Sequence, residues 1–119
     1  MKISQSFEDY LESIYILEIS GQKIKSVSVA KMLNVTKAAV SKAMKELLDA
    51  NYIVKTPYSE LELTENGRNV AKTIYHRHVV LRNFLVEKLG VSKEVAEIDC
   101  CKIEHIISEE TFKAIEKLK

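Results

Sequence analysis

Apolar residues recur along this chain with two different periods, and the change of period predicts its elements. Phe7, Tyr10, Leu11, Ile14 and Leu17 follow steps of three and four. They predict a helix over residues 5–20 with one apolar stripe, stopped by Gly21. A short helix carrying Val27, Val29, Ala30 and Leu33 can be capped by Ser26 and broken at Asn34. Thr36 can cap the next helix through its hydroxyl. That helix runs to about residue 50, with Val40, Met44, Leu47 and Leu48 facing inward. The period then shortens: residues 52–55 read as a strand, 57–59 as a turn, and Leu61 and Leu63 alternate with Glu62 in a returning strand. Thr64 caps a long helix over 65–89, ended by Gly90. Ser92 and Ser108 can each start a further helix, and Glu109 and Glu110 suit the positive first turn of the last one.

The expected fold is mainly α: a winged helix-turn-helix with a small two-stranded wing, followed by a helical region. The boundary falls inside the long helix, giving domains 1–71 and 72–119. Composition supports this, since 3 Gly and 1 Pro in 119 residues leave little material for loops. Apolar residues make up 46% of the chain, enough for a buried core. No apolar run approaches the ~18 residues of a membrane helix. The N-terminus lacks the basic and apolar blocks of a signal peptide. Cys100 and Cys101 are adjacent, where a disulfide between them would be strained, so the cysteine usage fits a reducing cytosol.

Charge sharpens the picture. The net charge is only +1, but residues 22–56 hold seven lysines against Glu46 and Asp49, a local +5 flanked by acidic segments. A basic segment of this kind suggests a polyanion-facing surface. Two short helices, a tight turn and a hairpin place that charge on a helix-turn-helix, with the helix begun by Thr36 as the recognition helix. Its outer face carries Lys37, Ser41, Lys42 and Lys45, and its amino end presents free amides to phosphates. Ala38 and Ala39 are small enough for close approach to base edges. Tyr58 and Ser59 form the expected wing tip, suited to phosphate contact. The expected partner is a double-stranded DNA operator.

A second constellation lies near the other end. Cys101, Glu104 and His105 stand at i, i+3 and i+4, so a helix puts them on one face. Thiolate, carboxylate and imidazole are all donors to a transition metal. Asp9 and Glu12 form an i, i+3 pair on the polar side of the first helix, where two surface carboxylates are equally ordinary. His78 lies on the long helix, where a lone histidine is more often packed than ligating.

The whole sequence resembles the diphtheria-toxin-repressor family, which includes the manganese transport regulators. The resemblance rests on Glu8 to Tyr15, Val40-Ser41-Lys42, Leu63-Thr64-Glu65-Asn66-Gly67, Arg77-His78, Phe84-Leu85, and Cys101-Lys102-Ile103-Glu104-His105 with Ser108. It implies a metal-dependent repressor whose ligands, by position, are Asp9, Glu12, His78, Cys101, Glu104 and His105. Manganese-type members carry a glutamate where this chain has Cys101. Iron-type members have that cysteine but a methionine at Asp9. Their ancillary site pairs His78 with a glutamate and a histidine, and here those positions hold Arg82 and Glu97. An arginine cannot ligate a cation, so that site does not carry over.

The resulting donor set is a hybrid. Asp9, Glu12 and Glu104 are hard oxygen donors suited to Mn(II) or Fe(II), whereas Cys101 is softer. Fe(II) or Mn(II) is the expected cofactor, and Co(II), Ni(II) and Zn(II) can also bind in vitro. The resemblance further implies a homodimer, with no membrane and no small-molecule substrate as partner. Val91, Val95, Ile98, Ile106, Ile107, Phe112, Ile115 and Leu118 supply either its interface or a core. The resemblance leads to the expectation of a member without the small barrel of the longer iron-type proteins, either a compact member or a truncated one. The competing expectation is a winged-helix regulator of a non-metal signal, such as thiol redox state through Cys100 or Cys101. Under the metal reading Cys100 has no role. An enzyme is disfavoured, because Cys101 and His105 one turn apart on a helix lack an oxyanion site or substrate loop.

Overall fold

Residues 5–58 and 60–118 are described by the computed structural model. The chain divides into two compact units, Met1–Lys72 and Thr73–Lys119. Helix α1 spans Gln5–Ile19, α2 Ser26–Leu33 and α3 Lys37–Asp49. Strands β1 (Ile53–Lys55) and β2 (Leu61–Leu63) pair antiparallel, with Ile53 opposite Leu63 and Lys55 opposite Leu61. Helix α4 covers Glu65–Glu87 and runs from the first unit into the second. Helices α5 (Lys93–Ile103) and α6 (Glu109–Glu116) complete the chain. This is the winged helix-turn-helix followed by a helical region that the periodicities predict.

In the first unit the α1 stripe is the centre of the core. Leu11 and Ile14 are fully buried and pack in one cluster with Val29 of α2, Val40, Met44 and Leu47 of α3, and Ile53 and Leu63 of the wing. Burying side chains of this size contributes roughly 1.5–3 kcal/mol each. The two-stranded wing, too short to persist alone, is held through Ile53 and Leu63. The second unit has its own smaller core of Leu81, Leu85, Ala96, Cys100 and Phe112, flanked by Val91, Ile107 and Ile115. Val95, Ile98, Ile106 and Leu118 remain exposed, so the apolar positions after Gly90 split between a core and an outward face.

Four of the predicted caps form. Thr36 Oγ1 accepts from Ala39 N at 3.1 Å, Thr64 Oγ1 from Gly67 N at 3.0 Å, and Ser108 Oγ from Thr111 N at 3.1 Å. A longer contact of the same kind, 3.3 Å, joins Ser92 Oγ to Val95 N. Ser26 does not cap α2: it is the first helical residue, and the capping position is Lys25, whose side chain makes no cap bond. Asn34 ends α2 in the left-handed region as expected. Helix α4 stops two residues before the predicted end, and Gly90 turns the chain at φ 70°.

Tyr52 stays out of β1 because its carbonyl serves the start of α4. It accepts from Thr64 N at 3.1 Å and from Thr64 Oγ1 at 3.2 Å. This close docking explains Gly67, where a Cβ would lie 1.9 Å from the Tyr52 carbonyl oxygen. Gly67→Ala forces backbone apart from backbone, and overpacking of this kind costs roughly 1–3 kcal/mol. The urea unfolding midpoint of that variant is expected to fall accordingly. A midpoint equal to that of the parent chain would mean that the Tyr52 junction yields freely.

Candidate functional site

The first unit presents the nucleic-acid face. Helix α3 buries Val40, Ala43, Met44 and Leu47. That leaves Thr36, Lys37, Ala38, Ser41, Lys42 and Lys45 exposed, with Ala39 half-buried at the edge. The split is what groove entry requires: an anchored inner stripe and an outer face of cations, a hydroxyl and small side chains. At the wing, Thr56 closes the turn. Its N–H donates to Glu60 O at 2.7 Å, and its hydroxyl oxygen accepts from Glu60 N at 3.1 Å and Tyr58 N at 3.3 Å. Tyr58 is left 86% exposed, whereas Ser59 lies outside the described residues. The role of Thr56 was not read from the sequence, although a threonine preceding Pro57 is a recognisable turn signal.

The base of the wing is also braced. Arg68 Nε donates to Glu18 Oε1 at 2.6 Å, and a second guanidinium nitrogen donates to Glu18 Oε2 at 3.0 Å. This two-pronged bond raises the Arg68 pKa above its already high value, so the guanidinium stays charged at any physiological pH. On α1, Asp9 is half-buried and Glu12 is buried. Glu12 is therefore not the solvated carboxylate that the polar side of α1 suggests.

The second unit gathers donor side chains around one imidazole. His78, on α4, is buried. Its Nε2 lies 2.7 Å from Glu97 Oε1 on α5, and Glu97 in turn lies 3.7 Å from Arg82. Its Nδ1 faces Glu104 Oε2 at 3.4 Å, Cys100 Sγ at 3.5 Å and Cys101 Sγ at 3.8 Å. The other oxygen of Glu104 lies 3.5 Å from His105 Nε2. Glu104 is only 2% exposed, and neither of its carboxylate oxygens has a hydrogen bond among the described residues. A buried carboxylate set between two imidazoles and short of donors fits a cation. Of the six predicted ligands, the second unit thus brings together His78, Cys101, Glu104 and His105.

Two features differ from the sequence expectation. The face shared by Cys101, Glu104 and His105 is not one of a continuous helix, because α5 ends at Ile103 with Glu104 as its C-cap and His105 beyond it. Arg77 fastens this turn, donating to the Glu104 carbonyl at 3.3 Å and to Glu109 Oε2 at 2.5 Å while stacking over Phe112. The second difference is Cys100, which the sequence left without a role but whose sulfur contacts both the His78 ring and the Glu97 carbonyl. It is wholly buried, and burial, aided by the nearby Cys101, Glu97 and Glu104, pushes its thiol up to about 12. A thiol held protonated in this way is a poor redox switch, since the thiolate is the reactive form.

Comparison with known proteins agrees with both faces. Residues 2–61 match the family domain described as iron dependent repressor, N-terminal DNA binding domain. Residues 64–118 match iron dependent repressor, metal binding and dimerisation domain. An uncharacterized HTH-type transcriptional regulator of Methanocaldococcus jannaschii is 40% identical over 118 residues, covering 98% of this chain and 92% of that protein. The transcriptional regulator MntR of Salmonella typhimurium is 36% identical over 107 residues, 90% of this chain and 68% of that one. Among solved structures, the manganese regulator SloR superposes with a TM-score of 0.83 at 27% identity, over 98% of this chain. This chain spans 54% of the SloR chain. These relatives are transcriptional regulators, and none of the matches supports the thiol-switch alternative. The chain belongs to the iron-dependent-repressor family, the diphtheria-toxin-repressor family that its sequence resembles.

Proposed function

We propose that this metal-dependent DNA-binding repressor is switched by a divalent cation held by Asp9, Glu12, His78, Cys101, Glu104 and His105. The observation that carries the reading is Glu104, a buried carboxylate between two imidazoles with no hydrogen-bond donor on either oxygen among the described residues. Asp9, Glu12 and Glu104 are hard donors that suit Mn(II) or Fe(II), and manganese regulators are among the relatives. Co(II), Ni(II) and Zn(II) are expected to bind in vitro.

The roles divide as 1–71 for DNA and 72–119 for metal and dimerisation. When bound, the cation supplies positive charge that offsets the mutual repulsion of the carboxylates. The chain's own residues do the rest. Asp9 and Glu12 are fixed to α1, which shares a core with the recognition helix α3. His78, Cys101, Glu104 and His105 belong to the dimerising part. Joining the two sets biases the dimer toward the geometry in which two copies of α3 reach successive major grooves. Exposed Val95, Ile98, Ile106 and Leu118 offer apolar surface for dimer contact. Thr36, Lys37, Ala38, Ala39, Ser41, Lys42 and Lys45 read and grip the duplex, with Tyr58 and Ser59 at the wing. This reading assigns no catalysis and places the chain in the cytoplasm. Among the described residues, no helix is long and apolar enough to cross a membrane.

The test is operator affinity with and without metal, using a duplex selected from random sequences by the metal-loaded protein. Mn(II) or Fe(II) is expected to tighten binding by about 5- to 150-fold, the range of a typical coupling energy. Glu104→Ala and His105→Ala are expected to lose that response while keeping the helical circular dichroism of the parent. A full metal response in both variants would remove them from the switch. Lys42→Ala is expected to weaken operator binding at fixed salt and to lower the salt dependence by about one counterion per subunit. Unchanged affinity and slope would place DNA contact elsewhere on the molecule.

A further inference from the structure

The proposed ligand set leaves Glu97 and Arg82 without a use, yet both connect to one of its members. Glu97 reaches from α5 to the His78 ring on α4, with Oε1 2.7 Å from Nε2. An ionised carboxylate can only accept a hydrogen bond, so Nε2 carries a proton in this contact. Arg82, one turn further along α4, lies 3.7 Å from the second oxygen of Glu97. The His78 side chain is 6% exposed and that of Glu97 51%, so a surface carboxylate reaches inward to a buried ring. All three residues belong to the second unit, which has its own core.

The contact fixes which way the ring faces. Glu104 Oε2 lies 3.4 Å from Nδ1, the other ring nitrogen. Cys100 Sγ is 3.5 Å from Nδ1 and 3.7 Å from Nε2, so it abuts the ring without distinguishing the two. Glu97 does distinguish them. A half-turn of the ring about its bond to Cβ exchanges each nitrogen for a carbon. That turn would break the Glu97 contact and carry Nδ1 away from Glu104 together. A carboxylate bonded to the far nitrogen is how proteins orient a histidine toward a metal, and it also makes the imidazole a stronger donor.

We infer that Glu97 is a positioning residue of the metal switch, holding His78 Nε2 so that Nδ1 meets the cation beside Glu104, with Arg82 steadying Glu97. The inference rests on the metal reading above and adds to it two residues that do not touch the ion. The two oxygens of Glu97 face Nε2 and Arg82, and an oxygen beside a guanidinium is a poor place for a second cation. Arg82 has the smaller share, because a half-exposed pair 3.7 Å apart is weak. Without Glu97 the ring loses its preferred face, and the ion must order it on binding. Removing an outer partner of this kind lowers metal affinity by about 10- to 100-fold.

Nuclear magnetic resonance of the metal-free chain and Mn(II) titration of the full chain test this separately. The Nε2–H proton of His78, identified by its absence in His78→Gln, is expected to be protected from exchange in the parent. Protection should persist in Glu97→Gln, whose amide oxygen still accepts, and be lost in Glu97→Ala. Mn(II) affinity, read from the paramagnetic resonance signal of unbound ion, should fall by about 10- to 100-fold in Glu97→Ala and much less in Glu97→Gln. Arg82→Ala should move both readings the same way by a smaller amount. In a His78→Ala chain, Glu97→Ala should make no further difference, because Glu97 acts only through the ring. The positioning role would be overturned by an unprotected Nε2–H in the parent, by equal Mn(II) affinity in the parent and Glu97→Ala, or by an undiminished Glu97 effect in the His78→Ala chain. Each of those results leaves the metal switch standing, whereas a parent chain that binds neither Mn(II) nor Fe(II) would overturn the switch and the positioning role with it.

Discussion

One buried imidazole, His78, organises the side chains of the second unit, because Glu97 lies 2.7 Å from its Nε2 and fixes the ring among the other donors. Around its Nδ1 stand one carboxylate and two sulfurs at 3.4–3.8 Å. A ring free to rotate would present either nitrogen to either neighbour, and ligand geometry would be set by chance. A ring fixed by a carboxylate presents one lone pair in one direction. Glu104 adds the second constraint. It is buried without hydrogen bonds among the described residues, so its carboxylate lacks the compensation that burying a polar group requires, and the proposed cation would supply it.

The DNA-reading face depends on a different physical requirement, the division of α3 into two sides. Val40, Met44 and Leu47 lock one side to the stripe of α1, so the lysines opposite are held in a fixed orientation. Lysines on an unanchored helix would lower the energy of contact with any polyanion, but they would carry no register. The wing behaves similarly. Three residues per strand cannot hold a hairpin, and Ile53 and Leu63, with Thr56 bonded across the turn, do so instead. Both readers of the duplex are thus extensions of one core. In the proposed switch, a cation engaging Asp9 and Glu12 would act on that core directly, since α1 belongs to it.

Much of this was legible in the sequence for identifiable reasons. The stripe of α1 and the inner face of α3 follow from residue spacing, because burial of one helix face leaves a period that survives in the sequence. The caps at Thr36, Thr64 and Ser108 follow from local chemistry, since a hydroxyl three residues before a free amide needs no distant partner. Ser26 shows the limit of that reasoning: a suitable residue near a helix start can be displaced by one position when the chain enters the helix earlier. Gly67 was visible only as part of a resembling motif, and its reason, the Tyr52 carbonyl packed against α4, is a contact between residues far apart in the chain.

For the proposed metal centre, the sequence by itself determined the donor types and the local group Cys101, Glu104 and His105, because residues three and four apart stay close even where α5 ends at Ile103 and His105 lies beyond its cap. It could not assign Cys100, which shares its helix with Cys101 but points toward His78 only because α4 and α5 pack as they do. Nor could it show that Glu97 fixes the ring or that Arg77 fastens the turn at Glu104, since these pairs are separated by 19 and 27 residues. Spacing along a chain records neighbours on one element. Which groups surround each nitrogen of a histidine is settled by the packing of separate elements, and that information exists only in the tertiary structure.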